Sequence, residues 1–493
     1  MQTNTTLILR GDLVKEYDLI VIGTGSGMNY VDSMISTNPG MKIAVIDKDE
    51  PGGICLTRGC IPSKLLLYPA ELVREIGTAG KFGIDVQIKN IDFGYVMERM
   101  RTLISKEIKN VREGLSGNPN LDYYHDVAEF VAPYTMKVGN ETIISKMIFL
   151  CTGSKPIIPP IRGLEESGYL TSDTVLKMTE LPSSIAIIGG GYIAAEYGHF
   201  FSAMGSRVTI IGRNPQFIPE EEPEISALAK RVMSGYMNII TNHEVIEVQK
   251  AGNGKKKIIA QEKNSKKEIE IVADELLVAS GRGQNNDMLC PEKGNIDTDE
   301  NGWISVNEYL ETSQPNIWAF GDANGHHLFR HVANYESTFV YYNAVMKKKV
   351  KIDYYAVPHA VFSYPEIAGV GMKEKDAIER YGEENVLIGS ERYEDTAKGK
   401  AMDVKDYFVK VIVEPGTNRI LGAHIIGPHA SILIQEIINL MYTPEERADP
   451  IMAGMHIHPA LSEVVKKAFH SLMPPAHYHH VLGHMNLEPE SIS

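Results

Sequence analysis

Residues 17–27 read YDLIVIGTGSG, a short run of aliphatic residues that leads directly into three glycines. Such a run before a turn predicts a buried strand, and the residues after it are compatible with a helix. Gly23 and Gly25 let the backbone turn tightly and let a pyrophosphate approach the amides at the start of that helix. The stretch therefore predicts a strand, a turn and a helix that bind a dinucleotide.

The residues around this turn extend the prediction. The next apolar strand, KIAVIDK at 42–48, ends in Asp47, which is placed to accept a hydrogen bond from an adenosine ribose. Gly27 is the third glycine of the turn, but Met28 stands where the G-x-G-x-x-G pattern has its last glycine. We therefore expect the helix to pack less closely on the strand at that position.

A second motif of the same kind lies at residues 185–194, which read IAIIGGGYIA. Gly189, Gly191 and Ala194 have the spacing of the pattern. One such motif alone can belong to an ordinary α/β turn, whereas two in one chain favour two dinucleotide folds.

The acidic residue of the first fold has no counterpart in the second. The strand RVTIIGRN at 207–214 ends in Gly212 and Arg213. The absence of a carboxylate beside an arginine favours a 2′-phosphate, and so predicts NADPH over NADH. A solvated surface charge is the alternative interpretation of Arg213.

Two of the four cysteines lie close together, in GGICLTRGCIPSK at 52–64. On a straight helix, Cys55 and Cys60 would differ by about 7.5 Å along the axis and about 140° around it, which exceeds the span of a disulfide. The segment must therefore bend, and Gly59 allows it to do so. A redox-active disulfide is the favoured interpretation; a metal site would need further ligands nearby, and two unrelated thiols are the other alternative.

Composition limits the class of protein. A chain of 493 residues with 43% hydrophobic and 23% charged residues is typical of a soluble, multidomain protein, and it contains no run of apolar residues long enough for a membrane span. The net charge of -14 argues against nucleic acid as a partner. The N-terminal MQTNTTLILRGDLVKEYD lacks the pattern of a signal peptide, so we expect a cytoplasmic protein.

Seven short motifs follow one another along this chain in the same order as in the members of one protein family. They are GTGSG (23–27), GGICLTRGCIPSK (52–64), CTGSKP (151–156), GGGYIAAE (189–196), ASGRGQN (279–285), IWAFGDA (317–323) and HIHPALSE (456–463). With them the chain resembles the class I pyridine nucleotide-disulfide oxidoreductases over nearly its whole length. The resemblance implies an α/β fold with two Rossmann-like dinucleotide-binding domains, for FAD and NAD(P), and a C-terminal α+β dimerisation domain.

The resemblance also implies roles around the cysteines. Cys60 is expected beside the flavin, and Cys55 is expected to attack the substrate disulfide. Lys64 is expected near the flavin N5, paired with Glu196.

The same resemblance supplies an acid-base pair and the cofactor contacts. His458, oriented by Glu463, is expected to complete the site of the other subunit in a homodimer. The implied FAD contacts are Gly23, Gly25, Gly27, Asp47, Gly153, Asp322 and Ala323, and the implied NAD(P) contacts are Gly189, Gly191, Arg213 and Gly281.

Domain bounds follow from the family order of the motifs. They are 1–157 and 282–350 for FAD, 158–281 for NAD(P), 351–475 for the interface, and 476–493 for a C-terminal tail. The tail contains His477, His479, His480 and His484. We expect these histidines to be solvated or to touch a neighbouring subunit, and we expect no metal site.

Within the family, two substrate classes fit. The PSK after Cys60 and HIHPALSE resemble dihydrolipoamide dehydrogenases, which implies NAD and a 2-oxoacid dehydrogenase complex as partner. Met28 and LFRHVANYES at 328–337 resemble mycothione reductases, which implies NADPH and a small thiol disulfide. The overall resemblance favours dihydrolipoamide dehydrogenase. A noncatalytic flavoprotein scaffold is the alternative from another class, and the presence of both cysteines and of the His458–Glu463 pair argues against it.

Overall fold

The computed structural model describes residues 14–484. The predicted tail therefore falls within the described residues only as far as position 484. The chain divides into two compact units. One comprises residues up to 63, 99–156 and 282–353, and the other comprises 64–98, 157–281 and 354 onward. The finer domain bounds given above stay a prediction.

The first unit is built on a parallel sheet of five strands. Their order is Ile317–Ala319, Ile148–Leu150, Leu19–Ile22, Ile43–Ile46 and Leu121–Tyr124. The three middle strands are buried at every residue, as expected for a parallel sheet covered on both faces. Alternate residues of one strand supply two cores, since Leu19 and Val21 pack in one hydrophobic cluster and Ile20 and Ile22 in another.

The other elements of the first unit cover this sheet. A second sheet has the order Val14–Tyr17, Glu141–Ser145, Thr135–Val138 and Ala128–Ala132, and Ser154–Pro156 pairs with Arg282–Gln284. The shorter helices are Val31–Thr37, Gly53–Thr57 and Arg330–Val340. Two long helices, Cys60–Thr78 and Phe93–Gly117, contain residues of both units.

The second unit contains another parallel sheet of five strands. Their order is Leu170–Thr171, Glu275–Val278, Ser184–Ile188, Arg207–Ile211 and Asn238–Ile240. An antiparallel sheet follows, with His243–Lys250, Lys256–Glu262 and Glu268–Ala273. The helices of this part are Leu164–Ser167, Tyr192–Met204 and Pro223–Met233.

The C-terminal part of the second unit has a five-stranded antiparallel sheet. Its order is Pro358–Val361, Ile367–Gly371, Arg419–Ile426, Phe408–Glu414 and Leu387–Arg392. Its helices are Glu374–Tyr381, Ala397–Ala401, Ala430–Leu433, Gln435–Met441, Asp449–Ala453, Glu463–His470 and Pro475–His484. Two parallel nucleotide-type sheets and this α+β part confirm the predicted fold class. Between positions 14 and 484, no helix is both long enough and apolar enough to cross a membrane.

Candidate active site

The first glycine turn is shaped by contacts that exclude side chains. Gly23 has a φ of +99°, and a Cβ on it would lie 2.2 Å from the carbonyl oxygen of Cys151. A Cβ on Gly27 would lie 2.8 Å from Cγ1 of Val21 and 3.0 Å from Sγ of Cys151. The close approach of turn and strand therefore occurs at Gly27, which offsets the looser packing that we expected at Met28.

Asp47 connects this turn to the neighbouring strand by hydrogen bonds. It follows the strand Ile43–Ile46, and its Oδ2 accepts hydrogen bonds from the backbone N–H of Thr24, at 2.9 Å, and from the Thr24 hydroxyl. The Thr24 hydroxyl in turn accepts one from the amide of Gly52 at 2.9 Å. Sequence reasoning did not identify Thr24 as part of this site. The contact of Asp47 with a ribose stays a prediction.

Asp322 belongs to a hydrogen-bonded cluster of polar residues, of which the sequence predicted only Asp322 itself. Its carboxylate accepts a hydrogen bond from the Ser154 hydroxyl, which accepts one from Nε of Arg282 at 2.8 Å. Burial raises the pKa of Asp322, and the Ser154 bond and the Arg282 charge oppose that rise. Gly153, with a φ of +69°, precedes Ser154, and Ala323 is buried beside Asp322. Ser154 could have been found from CTGSKP, where it follows Gly153.

The two cysteines are separated by a break between helices. The helix Gly53–Thr57 ends before the next one begins at Cys60. A Cβ on Gly59 would lie 2.9 Å from the carbonyl oxygen of Ile54 and 3.3 Å from Cα of Cys55. The bend that the disulfide geometry requires is therefore present, and the close approach at Gly59 favours glycine.

Cys55 and Cys60 are both free thiols in this structure, and they interact with each other. A hydrogen bond with Cys60 raises the pKa of the Cys55 thiol, and burial raises it further. The charge of Arg330 opposes this rise. The two thiols thus lie within hydrogen-bonding reach of each other, while their redox role stays a prediction.

Lys64 and Glu196 form an ion pair in the second unit. Lys64 Nζ lies 2.9 Å from both carboxylate oxygens of Glu196, which is buried. The amide of Phe362 donates a third hydrogen bond to this carboxylate at 3.1 Å, and Lys64 Nζ lies 4.6 Å from the centre of the Phe362 ring. These contacts fix the ammonium group, and Phe362 is a supporting residue that its sequence context does not reveal.

The second glycine turn repeats the geometry of the first. Gly189 has a φ of +129°, and a Cβ on it would lie 2.2 Å from the carbonyl oxygen of Ala279. Gly191 precedes the helix Tyr192–Met204, and the first amides of a helix favour negative charge. Gly281 also has a positive φ, of +108°.

The backbone after the neighbouring strand, Arg207–Ile211, explains why Gly212 and not an acidic residue stands there. A Cβ on Gly212 would lie only 3.3 Å from Cα of Gly190, so a carboxylate side chain fits poorly there. Arg213 is exposed, and its guanidinium makes no hydrogen bond or ion pair with any residue that the structure describes. A cation without a protein partner therefore follows this strand.

His458 and Glu463 form a hydrogen-bonded pair in the second unit. Nδ1 of His458 lies 2.9 Å from Oε1 of Glu463, and the amide of Ala460 donates to Oε2 at 3.2 Å. The bond with His458 lowers the pKa of Glu463. The His458 side chain is 71% exposed. The Glu463 carboxylate thus orients the imidazole of His458, which is exposed on the surface of this chain.

Comparisons with known proteins cover both parts of the chain. Residues 17–346 match the family model "Pyridine nucleotide-disulphide oxidoreductase", and residues 357–469 match its dimerisation domain. Mycothione reductase of Mycobacterium tuberculosis is 34% identical over 466 residues, which is 92% of this chain and 99% of that protein. Dihydrolipoyl dehydrogenase of Synechocystis sp. is 32% identical over 469 residues, covering 92% of this chain and 98% of that protein.

A solved structure is similar over the same span. It is the Cu(II) complex of the HOCl-induced flavoprotein disulfide reductase RclA from Escherichia coli, with a TM-score of 0.82 and 26% sequence identity. The alignment covers 92% of this chain and 99% of that one. The regions matched by the two family models include both glycine turns, the cysteine pair and the His458–Glu463 pair.

Proposed function

We propose that this chain, which belongs to the pyridine nucleotide-disulphide oxidoreductase family, is an NADPH-linked reductase of a low-molecular-weight disulfide. The family is one of FAD-containing, NAD(P)H-dependent enzymes. The observation that carries the choice of nucleotide is the crowded Gly212 followed by Arg213, which has no partner among residues 14–484. A free guanidinium at this place suits a 2′-phosphate, and a 2′-hydroxyl would require a carboxylate instead.

The first unit has the features that FAD requires. In the first turn, Gly23, Gly25 and Gly27 have no side chains that would block a pyrophosphate, and the side chains of Thr24 and Ser26 are buried. Asp322 offers a buried carboxylate for hydroxyl groups of the cofactor. FAD, when bound, accepts two electrons from the nicotinamide and passes them to a disulfide.

The cysteines carry the electrons to the substrate. A disulfide between Cys55 and Cys60 accepts two electrons and becomes two thiolates. The Cys55 thiolate attacks one sulfur of the substrate disulfide, so that a mixed disulfide forms and the first product thiolate leaves. Cys60 then attacks the Cys55 sulfur, which releases the second product thiolate and restores the starting disulfide.

The His458–Glu463 pair moves protons in this scheme. An imidazole held by a carboxylate can give a proton to each leaving thiolate near neutral pH. The match of residues 357–469 to a dimerisation domain supports a homodimer. We assign the pair to the site that contains the cysteines of the second copy.

The nucleotide preference tests the proposal. We expect anaerobic titration and steady-state assays to give a higher kcat/KM with NADPH than with NADH. Arg213→Gln should lower kcat/KM for NADPH by roughly tenfold to a hundredfold and leave NADH unaffected, because one charge-assisted hydrogen bond to phosphate is lost. Arg207→Gln is the control, since Arg207 is exposed at the opposite end of the same strand. A preference for NADH that Arg213→Gln does not change would contradict the proposal.

Dihydrolipoamide dehydrogenase is the second candidate. Sequence similarity favours it, because two relatives named dihydrolipoyl dehydrogenase are 32% and 33% identical to this chain. An assay with dihydrolipoamide and NAD, run beside a panel of small disulfides and NADPH, separates the two candidates. A 2-oxoacid dehydrogenase complex is a partner only if dihydrolipoamide is the better substrate.

The acid-base assignment gives a separate prediction. His458→Gln is expected to lower disulfide turnover by about 10²- to 10⁴-fold, the usual contribution of a general acid. Reduction of the bound flavin by the nucleotide, followed by stopped-flow absorbance, should keep its rate because no leaving thiolate is involved. His470→Gln is the control, since His470 is exposed and its Nδ1 lies 2.9 Å from the backbone oxygen of Lys466. A loss of less than about threefold in His458→Gln would remove this residue from the mechanism.

A further inference from the structure

The first glycine turn touches the helix that carries Cys55 through two glycines. A Cβ on Gly53 would lie 2.6 Å from Cα of Gly25, and Gly53 has a φ of +71°. Neither residue has a side chain, so the backbone at this contact is accessible to an approaching phosphate.

The Arg330 guanidinium lies at the same contact. Its Nη1 is 3.5 Å from the position that a Cβ on Gly25 would occupy. Arg330 is half-buried, and its guanidinium has no hydrogen bond or ion pair to any other residue between 14 and 484. Other arginines of this unit do have partners: Arg58 with Asp49, Arg112 with Glu50, and Arg282 with Ser154.

The position of Arg330 in its helix indicates an anion. It is the first residue of the helix Arg330–Val340. The amino end of a helix repels cations, so an unpaired, half-buried guanidinium there is unfavourable unless a negative group lies beside it. The glycine turn, the helix terminus and the guanidinium all favour negative charge at one place.

We propose that Arg330 binds the pyrophosphate of FAD at the contact between Gly25 and Gly53. The guanidinium offers paired N–H donors that match two phosphate oxygens. This assignment rests on FAD as the cofactor of the proposed function, and not on the choice of nucleotide or disulfide. The Arg330 charge also acts on two thiols, since it opposes the rise in the pKa of Cys55 and of Cys151. Of these two, Cys55 is the one to which the proposed reaction gives a thiolate.

Flavin release from the holoenzyme tests this assignment. The rise in flavin fluorescence after dilution gives the release rate for the wild type, Arg330→Gln and Arg330→Lys. We expect release from Arg330→Gln to be roughly tenfold to a hundredfold faster, because a charge-assisted hydrogen bond is lost. Arg330→Lys, which keeps the charge, should fall between the two. Added salt should accelerate release less in Arg330→Gln than in the wild type.

A matched charge loss and a thiol assay separate the outcomes. Arg112→Gln removes an exposed arginine of the same unit and should not change flavin release. Unchanged release from Arg330→Gln would overturn the assignment. If release is unchanged while alkylation of Cys55 in the reduced enzyme shifts to higher pH, Arg330 acts on the thiolate and the phosphate assignment is wrong. None of these readouts depends on substrate turnover. A failure of the proposed disulfide reduction can therefore be distinguished from a failure of the Arg330 assignment.

Discussion

Replacing Cys55 with serine is expected to lower disulfide turnover by roughly 10⁴-fold or more, because the thiol that we propose as the nucleophile is removed. Flavin reduction by the nucleotide should persist in this variant. If Cys60 lies beside the flavin, its lone thiolate should give a long-wavelength charge-transfer absorbance before any reductant is added. Cys60→Ser should lose turnover as well but lack this absorbance. Anaerobic absorbance spectra and steady-state assays of the two variants measure both effects.

The control for the cysteine variants is Cys290→Ser. Cys290 is a free, partly buried thiol to which we assign no role, so its replacement should leave turnover and the spectrum unchanged. Two results would reject the relay. One is Cys55→Ser with more than a few per cent of wild-type turnover, and the other is the same spectrum from Cys55→Ser and Cys60→Ser.

The second large effect concerns stability and a buried cation. Lys410 is completely buried, and its ammonium nitrogen lies 2.5 Å from Glu224, 2.7 Å from Glu374 and 3.2 Å from Glu222. The C-terminal helix closes this cluster, because the Tyr478 hydroxyl donates to Glu224 at 3.1 Å. The three carboxylates have the spacing of a metal site, and the Lys410 ammonium lies within bonding distance of all of them.

Lys410→Met is expected to reduce the free energy of unfolding of the second unit by about 3–5 kcal/mol, since three buried carboxylates lose their common cation. Urea or thermal denaturation of the holoenzyme, followed by circular dichroism, measures the change. Lys375→Met is the control, because Lys375 is an exposed residue beside Glu374 and its ammonium nitrogen lies 3.7 Å from the carboxylate of exposed Glu379. We expect the control to change stability by no more than about 0.5 kcal/mol.

The effect of Lys410→Met should depend on pH. Burial alone would raise the pKa of Glu224, but Lys410, together with hydrogen bonds from the backbone and from Tyr478, makes the net shift downward from the ordinary value of 4.5. A carboxyl group with a lowered pKa stabilises the fold above its unfolded value, and this stability is lost as the pH falls through the folded value. In Lys410→Met, burial is left without this opposing cation and should raise the pKa of Glu224. The difference in stability between wild type and Lys410→Met should therefore be largest at neutral pH, begin to shrink above pH 4.5 and continue to shrink below it. If the difference in the free energy of unfolding does not change with pH, the stability lost in Lys410→Met is due to packing and not to the charge of Lys410.

The sequence by itself determined the local chemistry of the chain. The glycine turns at Gly23 and Gly189 could be predicted because their steric requirements arise within a strand, a turn and a helix that are adjacent in the chain. The bend between Cys55 and Cys60 could be predicted for the same reason, since covalent geometry over five residues demands it. The fold class and the family followed from the order of such local motifs.

Only the tertiary structure decided which distant charges meet. The Lys410 cluster, the support of Glu196 by Phe362 and the position of Arg330 beside Gly25 each join residues that lie far apart in the chain. A lysine or an arginine in the sequence carries no sign of its partner, because that partner is set by how helices and sheets pack. For the same physical reason, the sequence shows Arg330 only as part of a motif. The fold places its guanidinium at a glycine turn, without a hydrogen bond or ion pair to the other described residues.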